Sequence, residues 1–313
     1  KEEKEGAGED KGGKQKDTVE FGGKKKSKKK APAGSLWNPV DKFYYDAIAY
    51  NGGANKTQLP IRSLVGLIPM YAVLTLEPQI LEKFPNFKKR IDWFLDNKPK
   101  LCERNIASIT KKGTGDRLLL SLLTKDRLCA IMDRLLDEEE FLSPYGIRSL
   151  SKYHLKNPFS MHVNGADYSV SYLSGESNSG LFGGNSSWRG AIWFPTNFLI
   201  IESLERLFLY YGTSLKFEFP KKSGIFLNLA EIAEMLQHRL IQLFLPDVKT
   251  NTKVCYHDEG EPGKFTSNDP YFKEYIPFYE YFDGDNGRGL GASHQCGWTA
   301  LVAKLIQDHG HTF

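Results

Sequence analysis

Two segments rich in aromatic residues and glycine carry the side chains that are best suited to chemistry. Residues 179–197 read SGLFGGNSSWRGAIWFPTN, and residues 278–298 read FYEYFDGDNGRGLGASHQCGW. Neither segment follows a helical or strand period. Both place rings beside charged side chains, namely Arg189, Glu280, Asp283, Asp285 and Arg288. Rings can stack on the C–H faces of a sugar while polar groups bind its hydroxyls, so this composition predicts a sugar-binding cleft.

Glu280 is the strongest candidate for acid–base chemistry. It lies between Tyr279 and Tyr281, whose rings could desolvate and orient a carboxylate. A carboxylate that is desolvated in this way is suited to acid–base chemistry on a bound sugar. The alternative interpretation is a surface glutamate in a loop.

Trp188, Arg189 and Trp193 are the main candidates for holding the sugar. The two indole rings would stack on it, and the guanidinium would offer a fork of donors to hydroxyls or to a carboxylate. Burial in the core is the alternative for each tryptophan. Further candidates for sugar contact are Glu176, Asn197, Tyr279 and His294. A structural role is the alternative for the glutamate, asparagine and histidine of this set.

A second group of polar residues has two open interpretations. Arg62 and Arg148 are either buried ion-pair partners or residues of the cleft, and their sequence context does not separate the two roles. Residues 44–46, which read Tyr-Tyr-Asp, are candidates for the rim of the same cleft.

The elements that must position these residues look helical. Apolar residues recur at helical spacing in six stretches, and Pro85 interrupts the second of them. The predicted helices are 61–76, 79–97, 124–139, 196–211, 228–245 and 297–309. Strand signals are weak and short, as at 162–163 and 168–173. This pattern predicts an all-α arrangement, and specifically part of an (α/α)6 toroid with long site-forming loops. An irregular all-α domain is the alternative.

Charge and composition indicate a folded region that follows a lysine-rich segment. The 313 residues carry a net charge of +4. Residues 1–30 hold eleven lysines and seven acidic residues. The remaining residues therefore carry 31 lysines and arginines (42 minus 11) and 31 acidic residues (38 minus 7), so their charges cancel. We therefore predict a disordered tail or insert over 1–34 and a folded region over 35–313. The folded region gives no electrostatic reason to expect nucleic acid.

Several other classes of protein are not indicated by the sequence. The four cysteines lack metal-ligand spacing, so we expect no metal and no cofactor. No apolar run is long enough to span a membrane, and no signal peptide is recognisable, which favours a cytoplasmic location.

Specific segments resemble the C-terminal catalytic region of glycoside hydrolase family 63, in particular its microbial and fungal members. The resemblance covers roughly residues 36–309, and the Trp-Arg-Gly-x-x-Trp and Tyr-Glu-x-Tyr/Phe patterns are its specific parts. The segments that carry it are 183–204, 278–306, 36–46, 61–73 and 140–154. It implies an (α/α)6 toroid that hydrolyses α-linked glucosides with inversion, with Glu280 as the general base and Trp188, Arg189 and Trp193 near the reacting sugar.

One part of the family pattern has no counterpart in this chain. The general acid of the family is an aspartate that lies well upstream of the Leu-Trp-x-x-x-Asp motif, and the lysine-rich segment occupies that region here. We therefore expect the 313 residues alone to be nearly inactive and to require an upstream part of the same catalytic domain as a partner. The alternative function is a non-catalytic carbohydrate-binding or scaffold domain. An oligosaccharide is the expected ligand in either case.

Overall fold

A computed structural model describes residues 19–20, 35–105, 111–178, 189–246, 253–256, 271 and 275–310. The prediction for Trp188 and most of the prediction for the lysine-rich segment lie outside these residues. Within that segment, Val19–Glu20 forms a short strand that pairs with Val163 and His162.

Nine α-helices and fifteen short strands are present in the described residues. The helices are α1 (Pro78–Lys83), α2 (Pro85–Asn97), α3 (Pro99–Asn105), α4 (Lys125–Leu135), α5 (Tyr153–Lys156), α6 (Phe194–Tyr211), α7 (Leu229–Gln242), α8 (Cys296–Thr299) and α9 (Leu301–Gly310). The strands are β1 (Val19–Glu20), β2 (Trp37–Asn38), β3 (Phe43–Tyr44), β4 (Ala47–Tyr50), β5 (Asn55–Gln58), β6 (Val73–Leu76), β7 (Leu118–Ser121), β8 (Leu142–Ser143), β9 (Gly146–Ile147), β10 (Phe159–Val163), β11 (Ala166–Val170), β12 (Lys216–Glu218), β13 (Phe226–Asn228), β14 (Tyr281–Phe282) and β15 (Gly289–Leu290).

The fold is mixed, and the prediction of an all-α toroid is wrong. The strands of the described residues form seven small antiparallel sheets, six of them two-stranded. All but β1, β6 and β7 pair as hairpins with a strand that is close in sequence, which is why they leave little period in the sequence. The segments that looked like irregular loops therefore contain much of the regular structure around the candidate site.

The helices that build the core follow the predicted apolar spacing. In α4, Leu128, Ile131, Met132 and Leu135 are all buried, and the Thr124 side chain caps the helix by accepting from the Arg127 N–H. Helix α6 ends at Gly212, which has a φ of 62°. Helix α7 begins with a capping box in which Asn228 and Glu231 exchange side-chain and backbone hydrogen bonds. Buried residues of α4, α6 and α7 belong to one hydrophobic core.

The apolar stretch 61–76 is not the helix that its composition predicts. It forms two 3₁₀ turns, Leu64–Gly66 and Ile68–Met70, and then strand β6, which pairs with β7. Pro69 has no N–H for a continuous helix, and it lies inside the second turn. A Cβ on Gly66 would lie 2.1 Å from Cε1 of Phe43, so this segment is shaped by close packing on the ring.

Helices α1 and α2 stand apart from this core. Neither α1 nor α2 has a buried residue, although the predicted break at Pro85 is present between them. Large apolar side chains of α2 such as Phe87 and Trp93 are exposed. None of the helices in the described part of the chain is long and apolar enough to cross a membrane.

Candidate functional site

The two aromatic segments meet through backbone pairing. Ile192 forms an antiparallel bridge with Arg148 on one side and with Phe282 on the other. The Ile192 N–H donates to the Phe282 carbonyl at 2.8 Å, and the Phe282 N–H donates back to Ile192 at 3.0 Å. Segments that are about ninety residues apart in the sequence therefore lie side by side, immediately before α6.

Aromatic stacking follows directly from this pairing. Trp193 stacks on Tyr281, with ring centroids 4.6 Å apart and an interplanar angle of 24°. Trp298 meets Trp193 edge-on at 5.5 Å and is 39% exposed, so one ring of the cluster faces solvent. The indole N–H of Trp193 is buried and has no hydrogen-bond partner within the described residues. Within the cluster, Trp298 is thus the ring that a ligand can reach, and Trp193 and Tyr281 are buried behind it.

Glu280 lies beside this cluster in a half-buried position. Its backbone N–H donates to the Ala292 carbonyl at 2.9 Å, and its Oε2 accepts from the Ala292 N–H at 3.0 Å. A Cβ on Gly291, whose φ is +70°, would lie 2.7 Å from that Oε2 and 2.5 Å from the Tyr281 ring. A glycine is therefore required at position 291 for the carboxylate to occupy its place.

Arg189 is buried, at 3% exposure, and its Nε donates to the Ser177 hydroxyl at 2.9 Å. Burial lowers the pKa of this guanidinium. A buried cation needs polar partners, so the arginine ties the segment that leads into Trp193 to residues before it in the chain.

The other predicted contact residues have different surroundings. Asn197 is buried, and its amide exchanges hydrogen bonds with both backbone groups of Ile147 and donates to the Trp193 carbonyl, which favours a structural role. Glu176 is exposed. His294 is exposed and stacks on Phe278, and its Nδ1 accepts from the Phe278 N–H at 3.3 Å.

Tyr279 packs closely on the hairpin that follows Glu280. A Cβ on Gly289 would lie 2.0 Å from Cδ2 of this tyrosine, and the Tyr279 carbonyl accepts a hydrogen bond from Thr299. The half-buried ring therefore lies against strand β15, and Tyr281 rather than Tyr279 stacks on Trp193.

Sequence reasoning missed a network that holds the turn between β14 and β15. Asp285 Oδ1 accepts from Arg148 Nη2 and from the Tyr172 hydroxyl, both at 2.9 Å. Partial burial alone would raise the pKa of Asp285, but the hydrogen bond and charge of Arg148, with contributions from Tyr172 and Lys152, hold that pKa below its usual value. The run Tyr-Leu-Ser-Gly-Glu-Ser at 172–177, which mixes an aromatic, hydroxyls and glycine, is the signal that could have revealed it.

Arg62, one of the two arginines with open interpretations, belongs to a separate ion-pair network. Glu140 is buried and accepts from both Arg62 and Arg134, the latter at 2.6 Å, while the Ser151 hydroxyl donates to its second oxygen at 2.6 Å. Arg148 likewise forms an ion pair with Asp285. Of the predicted rim residues, Tyr45 is buried, and desolvation raises its pKa to about 12.

In the described part of the chain, no group of three His, Cys, Asp or Glu side chains is arranged to hold a metal ion. All four cysteines are free. The arrangement offers an aromatic cluster, a half-buried carboxylate and a buried guanidinium that precedes Trp193 in the same segment, which are groups that sugar binding and acid–base chemistry use.

Comparison with known proteins adds a distant link to a glucosidase. No protein-family model matches the chain. The chain is 65% identical over 276 residues to an uncharacterised protein of Saccharomyces cerevisiae, covering 88% of this chain and 25% of that protein. It is 24% identical over 195 residues to a probable mannosyl-oligosaccharide glucosidase of Schizosaccharomyces pombe, covering 61% of this chain and 17% of that protein. The chain thus spans a quarter or less of the length of these relatives.

Proposed function

We propose that this chain forms part of a glycosidase that hydrolyses α-linked glucosides with inversion, and that Glu280 is its general base. The observation that carries the proposal is that the Glu280 carboxylate lies beside the ring of Tyr281, which stacks on Trp193. The distant similarity to a mannosyl-oligosaccharide glucosidase and the resemblance to glycoside hydrolase family 63 support the same reaction class.

The carboxylate of Glu280 has one oxygen committed and one available. Oε2 accepts from the Ala292 N–H, and no hydrogen bond within the described residues involves Oε1. In an inverting reaction, Oε1 would take a proton from a water molecule while the water oxygen attacks the anomeric carbon. The bond to the leaving oxygen breaks at the same time, and a separate acid protonates that oxygen. We assign only the base to this chain.

The aromatic cluster would bind the sugar ring next to this water. Trp298 is the most exposed of its three rings, and Trp193 and Tyr281 form the buried layer that holds it. Exclusion of water from that surface strengthens the electrostatic interactions of the carboxylate. Arg189 is almost fully buried, and its hydrogen bond to the Ser177 hydroxyl would hold in place the segment that leads into Trp193.

The test is hydrolysis of a panel of α-linked glucosides and mannosyl-oligosaccharide glucosides by the full-length natural polypeptide. Proton NMR of the first products would show the β anomer if the reaction inverts an α linkage. Release of the α anomer would contradict the inverting mechanism. Sugar binding without hydrolysis of any member of the panel would instead favour the non-catalytic carbohydrate-binding role.

A further inference from the structure

The turn between β14 and β15 is held by side chains from two other parts of the chain. The hairpin itself is short, since only Tyr281 with Leu290 and Phe282 with Gly289 pair between the strands. Its turn contains Gly284 and Gly287, the latter with a φ of +77°. Two residue pairs and a glycine-containing turn leave a hairpin marginally stable by itself, so external contacts are needed to fix it.

Asp285 provides the first of these contacts. Arg148, which is 2% exposed, donates from Nη2 to Asp285 Oδ1 and from Nε to the Tyr172 hydroxyl, each at 2.9 Å. The Tyr172 hydroxyl donates in turn to the same Oδ1 at 2.9 Å, and Lys152 Nζ lies 3.4 Å from it. Arg148, Tyr172 and Asp285 thus form a closed triangle of hydrogen bonds, and Asp285 Oδ1 accepts two of the three.

Ser174 provides a second set of contacts, two residues after Tyr172. Its hydroxyl donates to Asp283 Oδ2 at 2.8 Å, and its carbonyl accepts from the Gly284 N–H at 2.6 Å. The intervening Leu173 carbonyl accepts from the Gly190 N–H at 2.7 Å. Residues 172–174 therefore contact both the turn that follows Glu280 and the segment that leads into Trp193.

We propose that Arg148 and Tyr172 are positioning residues for Glu280 that act through Asp285. The proposal rests on the proposed function. Asp285 is five residues after Glu280, and the backbone between them forms β14, which also pairs with Ile192. Loosening the Asp285 anchor frees the turn and lets the Glu280 carboxylate leave its place beside the aromatic cluster, which slows the chemical step more than it weakens sugar binding.

The variants for the test are Asp285→Asn, Tyr172→Phe and the double variant in the full-length protein. The matched control is Glu77→Gln, because Glu77 is another partly exposed carboxylate that forms an ion pair with an arginine, Arg117, at 2.6 Å. We expect Asp285→Asn to lower kcat on the order of tenfold with little change in KM, since misplacement of a catalytic group costs rate. Tyr172→Phe should act in the same direction, and the two effects should be non-additive.

Two readouts separate positioning from mere stability. A purely structural role would lower Tm in Asp285→Asn and Tyr172→Phe and leave kcat unchanged in both, and that result would overturn the proposal. Hydrogen exchange of the peptide covering 279–292 should be faster in Asp285→Asn and Tyr172→Phe than in the wild type, and unchanged in Glu77→Gln. Unchanged exchange in the first two variants would also overturn it. An inactive wild type would contradict the proposed function alone, and the exchange data would still decide whether the contacts of Asp285 with Arg148 and Tyr172 hold the hairpin.

Discussion

Trp193 lies face to face with Tyr281, with ring centroids 4.6 Å apart. The tryptophan immediately precedes α6, where its carbonyl accepts from the side chains of Thr196 and Asn197, so the ring is attached to the most apolar helix of the core. The tyrosine directly follows Glu280. One stacked pair therefore connects a rigid helix start to the candidate catalytic carboxylate, and it explains how a loop residue can hold a defined position.

Replacement of Trp193 should separate packing from binding. Trp193→Ala removes a buried ring and should cost roughly 3–5 kcal/mol in the free energy of unfolding, together with weaker binding of α-linked gluco-oligosaccharides. Trp193→Phe keeps an aromatic face on Tyr281 and should recover most of the stability. Denaturant unfolding and calorimetric titration would measure the two effects.

The control for these variants is Trp93→Ala on α2, where the indole is 58% exposed. This change should alter the free energy of unfolding by no more than about 0.5 kcal/mol. If both Trp193 variants were less stable but bound sugar as tightly as the wild type, the ring would serve only the core.

Gly291 offers a test of how tightly Glu280 is held. Gly291→Ala adds a methyl group that meets Glu280 Oε2 and the Tyr281 ring within 3 Å, at a backbone φ of +70°. Gly165→Ala has a similar φ of +82° but open space around the added group. Both variants should lose about 1 kcal/mol through backbone strain. Only Gly291→Ala should lower hydrolytic activity, and equal activity losses in the two variants would contradict this description.

The core helices could be predicted from the sequence because their burial repeats with the helical period. The spacing of Leu128, Ile131 and Leu135 is sufficient to predict which face of α4 is buried. In 61–76 the same reasoning is wrong, because nearly every residue is apolar and no face can be distinguished. The turns and strand found there depend on Pro69 and on packing against Phe43, which is a tertiary contact.

The candidate site was predictable as two segments but not as an arrangement. The residue types in 179–197 and 278–298 indicate sugar chemistry without any structure. The bridge that pairs Ile192 with Phe282, and so selects Tyr281 as the partner of Trp193, joins segments that are far apart in the sequence. Tyr172 and Ser174 were missed because single polar residues in short segments carry no period.

Stability should fall as the solution becomes mildly acidic because of His154. This residue is buried, its Nε2 accepts from the Arg62 N–H at 2.8 Å, and its Nδ1 bonds the Asn157 carbonyl at 2.9 Å. Burial, with the charge of Arg62, lowers the pKa of His154 below its ordinary value of 6.5. Below pH 6.5 the unfolded chain binds a proton that the folded chain does not, so the free energy of unfolding decreases until the lowered folded pKa is reached.

Chemical denaturation across about pH 5 to 8 would measure this slope. His154→Gln keeps an acceptor for the Arg62 N–H and removes the titrating group, so its stability should depend less on pH in that range. His238→Gln changes an exposed histidine of α7 and should retain the wild-type slope. An identical slope in all three proteins would show that other groups cause the acid dependence.

The most direct measurement is the turnover number of Glu280→Gln in the full-length protein, with sugar affinity measured on the same preparation. The amide keeps the shape of the side chain and an oxygen for the Ala292 N–H, but it cannot accept a proton from water. We expect kcat to fall by about 10²–10⁴-fold with an almost unchanged Kd, while Glu82→Gln on the exposed surface of α1 keeps wild-type values. Wild-type turnover by Glu280→Gln would contradict the assignment of Glu280 as the general base.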